Sequence, residues 1–245
     1  MRNTRKKELS RRSFIKTGTT AATVFSIVPG HVVGANGKTP PSEKLNIAGI
    51  GIGGMGRGNI GACKGENVVA LCDVDSAYAG KTFKAHPNAA TYVDYRVMLE
   101  KQKDIDAVVI ATPDHTHAVI TMAAIEMGKH VYCQKPLTHT VEEARKITAA
   151  ARASKVQTQM GNQGHSSDAI RVVREWVQSG SIGDVKEVHA WTDRPDDGPW
   201  YANFGARDLP SDFPAVPDSL NWDLWLGPTQ DRKFSPAYHP FKWRA

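Results

Sequence analysis

Residues 45–73, LNIAGIGIGGMGRGNIGACKGENVVALCD, constrain the fold of this chain more than any other stretch. An apolar run of β type, Leu45 to Ile50, passes directly into Gly51-x-Gly53-x-x-Gly56, and Asp73 closes the next apolar run. Gly51 permits the tight strand-to-helix turn, and Gly53 lets backbone approach a pyrophosphate. Gly56 lets the helix pack on the strand, so that its amide N–H groups and positive dipole end face the phosphates. Asp73 lies where a carboxylate accepts hydrogen bonds from ribose hydroxyls. Glycines and acid in this context predict a dinucleotide-binding βαβ unit.

The net charge of +6 belongs to the first 35 residues, which carry seven bases (Arg2, Arg5, Lys6, Lys7, Arg11, Arg12 and Lys16) and one acid, Glu8. The remainder is balanced in charge, so no electrostatic footprint for nucleic acid is present. Ser10-Arg11-Arg12-Ser13-Phe14-Ile15-Lys16 resembles the bacterial twin-arginine export motif; an apolar run, Thr19 to Val28, and small residues at Val33-Gly34-Ala35 follow it. Residues 1–35 therefore read as an export signal engaging the twin-arginine machinery, with a periplasmic destination, or as an uncleaved membrane anchor. The three cysteines, Cys63, Cys72 and Cys133, fit no zinc spacing and read as buried free thiols; no metal site is expected.

After a linker at 36–43, strand and helix patterns alternate. Strands are predicted near 45–50, 67–72, 90–93, 106–111, 129–133 and 156–159, and helices near 54–64, 76–85, 94–101, 115–127, 139–153 and 166–179. The short continuous runs VVALC and AVVIA suit strands buried on both faces. This order implies an α/β fold, a Rossmann-type doubly wound parallel sheet over residues 44–160. Alternation over 184–193 predicts the first strand of a different sheet. Residues 161–245 are accordingly expected to begin an incomplete α+β second domain for substrate and oligomerisation. The last 52 residues hold eight of the fourteen prolines and ten of the nineteen aromatics, with neither helix nor strand pattern. Trp200, Tyr201, Trp222, Trp225 and Tyr238 are expected either to stack on a sugar ring or to pack against a sheet of that domain.

Three further motifs fall at carboxyl ends of strands, where an open α/β sheet binds its ligand. They are Ala111-Thr112-Pro113-Asp114-His115-Thr116-His117, His130-Val131-Tyr132-Cys133-Gln134-Lys135-Pro136 and Met160-Gly161-Asn162-Gln163-Gly164-His165. Together with the glycine loop they resemble the Gfo/Idh/MocA family of NAD(P)-dependent sugar and polyol oxidoreductases, over about residues 45–193.

The resemblance implies that Gly51, Gly53, Gly54, Met55 and Gly56 contact the pyrophosphate, that Arg57 adds a charge there, and that Asp73 holds the adenosine ribose. Val74 follows where an NADP enzyme often has a basic or small polar residue, which favours NAD. Thr112, Pro113, Asp114 and His117 would line the pocket beyond the fourth strand, and Asn162 would touch the cofactor. Lys135 corresponds to the lysine of the family's Glu-Lys-Pro motif, near the reacting hydroxyl, where a compact cation tunes proton transfer. Gln134 replaces the glutamate of that motif. His165 is a candidate for the substrate side; His115, His130 and His139 read as surface or cap residues. The family's Asp-x-x-x-His acid/base pair has no counterpart after residue 193. The implied function is oxidation of a sugar-like CH–OH group with tightly bound NAD; alternatives are a redox-neutral NAD-using glycoside hydrolase and a non-catalytic dinucleotide-binding protein. A homo-oligomer is expected where the second domain is complete.

Overall fold

The computed structural model describes residues 39–191, 210–240 and 243. The export motif and its apolar run therefore lie outside the described residues, as do Trp200 and Tyr201 and the end of the strand expected over 184–193. The chain divides into two units, 1–44 and 45–245. Among the described residues no helix is long and apolar enough to cross a membrane.

Six parallel strands form one sheet in the order β3-β2-β1-β4-β5-β6. They are β1 (Asn46–Ile50), β2 (Asn67–Cys72), β3 (Ala90–Tyr92), β4 (Ala107–Ile110), β5 (His130–Gln134) and β6 (Thr158–Gly161). Crossovers run through α1 (Met55–Ala62), α2 (Gly80–Ala85), α3 (Tyr95–Lys101), α4 (His117–Glu126) and α5 (Val141–Ala153); α6 (Asp168–Gln178) follows β6. The Rossmann-type expectation is met, and its topological switch point lies between β1 and β4, which pair in register from Ile47↔Ala107 to Ile50↔Ile110.

Alternate residues of the central strands enter two cores. Ala48, Ile50, Ala70, Val108 and Ile110 join Met98, Leu99 and Ile120 on one face, while Ile47, Leu71 and Val109 join Ile52 and Ile60 on the other. Burial on both sides is why these strands read as unbroken apolar runs. Local chemistry fixes the helix starts. Thr140 and Glu143 make a reciprocal capping box at α5, and Asp94 caps α3 by accepting from Arg96 N at 2.8 Å.

Three sequence expectations need correction. Residues 184–191 form no strand: Val188 and Trp191 are exposed, and among the described residues no neighbouring strand offers the ladder that alternation alone cannot supply. The late aromatic region, expected to lack helix and strand, contains a short helix, α7 (Trp222–Leu226), capped by Asn221 accepting from Leu224 N. The helix expected over 76–85 is also shortened, to Gly80–Ala85, because Asp75 Oδ1 draws Ala77 N and Tyr78 N into a turn. Helix α6 leaves Ile170, Val173 and Trp176 exposed.

Ile110 is fully buried beneath the switch point. Replacing Ile110 by Ala is expected to cost about 2–5 kcal/mol in denaturant unfolding. Val141→Ala, on the exposed face of α5, should stay within about 0.5 kcal/mol of the parent.

Candidate functional site

The glycine loop is held open by one carboxylate. Asp73 Oδ2 accepts from Ile52 N at 2.8 Å and Gly53 N at 3.0 Å, and Oδ1 accepts from Asp75 N at 3.0 Å. Burial pushes the Asp73 carboxyl above the usual aspartate range, and the three backbone N–H donors oppose that rise. Thr82 ties down the loop from below by donating its hydroxyl to Ile52 O at 2.7 Å.

Sterics explain the three glycines. Gly51 has φ +76°, and a Cβ there would lie 2.7 Å from Thr112 N. At Gly53 a Cβ would approach the Tyr78 ring to 2.1 Å, and at Gly56 it would meet Gly51 O at 2.0 Å. The strand therefore turns into α1 through a loop whose one side chain, Ile52, is buried in the core. Helix α1 begins after Gly54 without a side-chain cap; Arg57 N donates to Gly54 O at 3.1 Å, and no side chain occupies the helix start where an anion binds in such folds.

A cavity of about 620 Å³ opens beside this loop at the carboxyl ends of the strands. It gathers Gly51, Gly53, Gly54, Met55 and Asp73 from the first βαβ unit, Thr112, Pro113, Asp114 and His117 from the region after β4, and Gln134 and Lys135 from β5. Gly56 is buried beneath the loop, where its role is packing. Arg57, Asn162 and His165 are exposed and do not line the cavity.

His117 is only 1 % exposed, and both its ring nitrogens face backbone carbonyls, Pro136 O at 2.6 Å and Thr112 O at 2.8 Å. It braces the β4 motif against the β5 motif and has no nitrogen free for a ligand. Gln134, 5 % exposed, packs against Gly161 and leaves Nε2 with no protein partner. A buried amide donor in a cavity wall, a helix start without a side-chain cap and glycines that let a ligand approach the loop together fit a dinucleotide, whose amide and phosphate groups need donors and close backbone.

Several wall residues carry no motif. Val93 to Arg96, just past β3, line the cavity, and Arg96 is held in a two-pronged pair on Asp94, with distances of 2.8–3.1 Å. Residues from 223 onward also line it. His115, expected at the surface or in a cap, is instead half-buried: it bonds Trp225 O at 2.9 Å through Nε2, and burial holds its imidazole below the usual range. His130 acts as a cap-like acceptor for Gln157 N at 2.8 Å, and His139 is exposed. Trp222, Trp225 and Tyr238 pack in a cluster with Leu220, Leu226 and Phe234 against Val74, not against a second sheet. Cys72 and Cys133 are buried free thiols and Cys63 is half-buried; burial raises all three, Cys133 to about 11, so none is a ready nucleophile.

Residues 45–162 match the family described as the Gfo/Idh/MocA oxidoreductase family, NAD-binding Rossmann fold. The inositol 2-dehydrogenase of Serratia proteamaculans is 31% identical over 162 residues, 64% of this chain and 48% of that enzyme. The 1,5-anhydro-D-fructose reductase of Ensifer adhaerens is 35% identical over 126 residues, 51% of this chain and 38% of the relative. Among solved structures, scyllo-inositol dehydrogenase from Lactobacillus casei with bound NAD(H) and scyllo-inositol superimposes with a TM-score of 0.53 at 26% identity, over 58% of this chain and 43% of that one. The chain thus spans about half the length of the first of these relatives.

Asp73→Asn removes acceptor lone pairs at the ribose position and is expected to weaken dinucleotide binding about tenfold or more by calorimetry. In the parent, protonation converts this acceptor into a donor. Because burial raises the Asp73 carboxyl, affinity should hold at neutral pH and fall on acidification from above about pH 4, where an exposed aspartate would still be ionised.

Proposed function

We propose, from the premise that residues 45–162 are an NAD-binding Rossmann domain of the Gfo/Idh/MocA oxidoreductases, that this protein oxidises a CH–OH group of a sugar-like or polyol substrate. The observation that carries this reading is the placement of Lys135 on the same cavity wall as the Gly51–Gly54 loop and Asp73, at the switch point of the sheet. The names of the relatives, inositol dehydrogenases and an anhydrofructose reductase, support a polyhydroxylated substrate.

The residues divide the work as follows. Asp73 would take the adenosine ribose, the loop and the start of α1 would take the pyrophosphate, and Gln134 would offer Nε2 to the nicotinamide half. Bound NAD supplies the hydride acceptor. Lys135 is exposed at the cavity wall, where its side-chain amine would stand beside the reacting hydroxyl and favour the negative charge that develops on that oxygen as its proton leaves. His117 positions that lysine by fixing the adjoining Pro136 carbonyl.

The basic Ser10–Lys16 stretch supports export by the twin-arginine route, which carries proteins already folded and loaded. NAD would then be retained through the catalytic cycle.

Released dinucleotide can be identified by mass spectrometry after denaturing the purified protein, and NAD reduction can be followed at 340 nm with a panel of inositols and sugars. Lys135→Met is expected to lower kcat by about a hundredfold or more while the NAD dissociation constant changes little. Unchanged kcat would remove Lys135 from the proton path, and absence of NAD binding by the parent would remove the reading itself. Replacing Arg11 and Arg12 with Lys should shift the protein from the periplasmic to the cytoplasmic fraction; an unaltered distribution would exclude twin-arginine export.

A further inference from the structure

The most distal described segment of the chain reaches back over the first βαβ unit. Ser76 N donates to Ser219 O at 2.9 Å, and Asn221 N donates to Val74 O at 2.8 Å. Between these bonds Asp75 and Leu220 form an isolated antiparallel bridge. The next anchor is a side-chain pair: His239 Nε2 lies 2.8 Å from Asp75 Oδ2, with the two side chains only 10% and 11% exposed. Burial raises the Asp75 carboxyl, but the Tyr78 N–H, His239 and Ser219 outweigh it and hold that group below the usual range. A third anchor crosses to the other lip of the crevice, where His115, just past β4, bonds Trp225 O and meets the Trp225 ring edge-on at 5.3 Å. The Trp243 ring meets His115 at 6.0 Å.

Residues 219–240 and Trp243 are thereby tied to the loops after β2 and after β4, on either side of the glycine loop that follows β1. Trp222 and Trp225 stack at 4.6 Å and 12° between planes, and Leu220, Leu226 and Phe234 are buried with them. The segment holds its own apolar cluster and is bonded at several points, which distinguishes it from a loose tail. Trp225, His239 and Trp243 line the same cavity as Asp73 and the glycine loop.

We propose that residues 219–240, with Trp243, form a strap that completes the subsite for the adenosine diphosphate half of the dinucleotide and governs its release. This rests on the reading of the cavity as the NAD site. The direction follows from Asp73. A ribose bonded to Asp73 places its base near Val74, in the crevice between the loops after β2 and β4, and the strap crosses there. Trp243, half-buried at the cavity wall, supplies indole surface for an adenine, whose planar face stacks on aromatic rings, and the buried Trp225 backs that wall. The Asp75–His239 pair closes the strap on the β2 side, so a ligand enclosed there leaves after the pair opens. Retention of cofactor in a compartment without a nucleotide pool would have this segment as its physical basis.

The test compares the parent with His239→Ala, using NADH, ADP-ribose and nicotinamide mononucleotide as separate probes. For NADH and ADP-ribose, which share the adenosine diphosphate group, the dissociation rate in stopped-flow displacement is expected to rise about tenfold in the variant. Affinity for the mononucleotide should be unchanged. Equal release rates in parent and variant would overturn the strap. A parent that binds neither NADH nor ADP-ribose would overturn the assignment of the cavity, a separate failure. Hydrogen exchange on the parent alone covers the case in which His239→Ala does not fold: ADP-ribose should slow exchange at the amides of 219–240, and unaltered exchange there would refute the proposal.

Discussion

The Asp73 carboxylate is the interaction on which the rest of the site depends. Three backbone N–H groups converge on it from Ile52, Gly53 and Asp75, so one side chain sets the curvature of the glycine loop and the start of the loop after β2. An anion buried this deeply is tolerable because those donors are fixed in place and need no reorganisation. The arrangement leaves α1 to begin beside the cavity with no side-chain cap. A neutral residue at position 73 would leave the loop amides without their common acceptor.

A second constraint joins the two halves of the crevice. His117 bonds the Thr112 and Pro136 carbonyls, linking the segments after β4 and β5, so Lys135 stands on backbone that cannot drift from the loop it faces. This histidine was legible as a pocket residue from its motif. Its use as a brace was not, because the carbonyl of Pro136 is 19 residues away and enters only when β5 pairs beside β4. Gln134 behaves similarly. Its identity was plain in the sequence, but the packing of Gly161 against it, which leaves Nε2 without a protein partner, required β6 to lie alongside β5.

Asn162 and His165 mark a different limit. The motif after β6 stands at the carboxyl end of a strand, as expected, yet both side chains face solvent outside the cavity. Strand-end position is a statement about topology, and β6 lies at the far edge of the sheet, two strands from β4. The expected strand at 184–193 shows the same distinction. Alternation describes how a strand would partition its faces, and without a neighbouring edge it has no hydrogen bonds to form.

The sequence by itself determined the parallel α/β sheet, the glycine turn and the acid that serves it. These rest on short-range sterics and on the periodicity of burial, both written into consecutive residues. Only the tertiary structure decided the wall opposite the loop. Asp75 meets His239 across 164 positions and His115 meets Trp225 across 110, between segments with no shared period and no fixed spacing. Such contacts arise from an aromatic cluster finding the apolar shoulder at Val74, and chain-distant packing of that kind leaves no local signature to read.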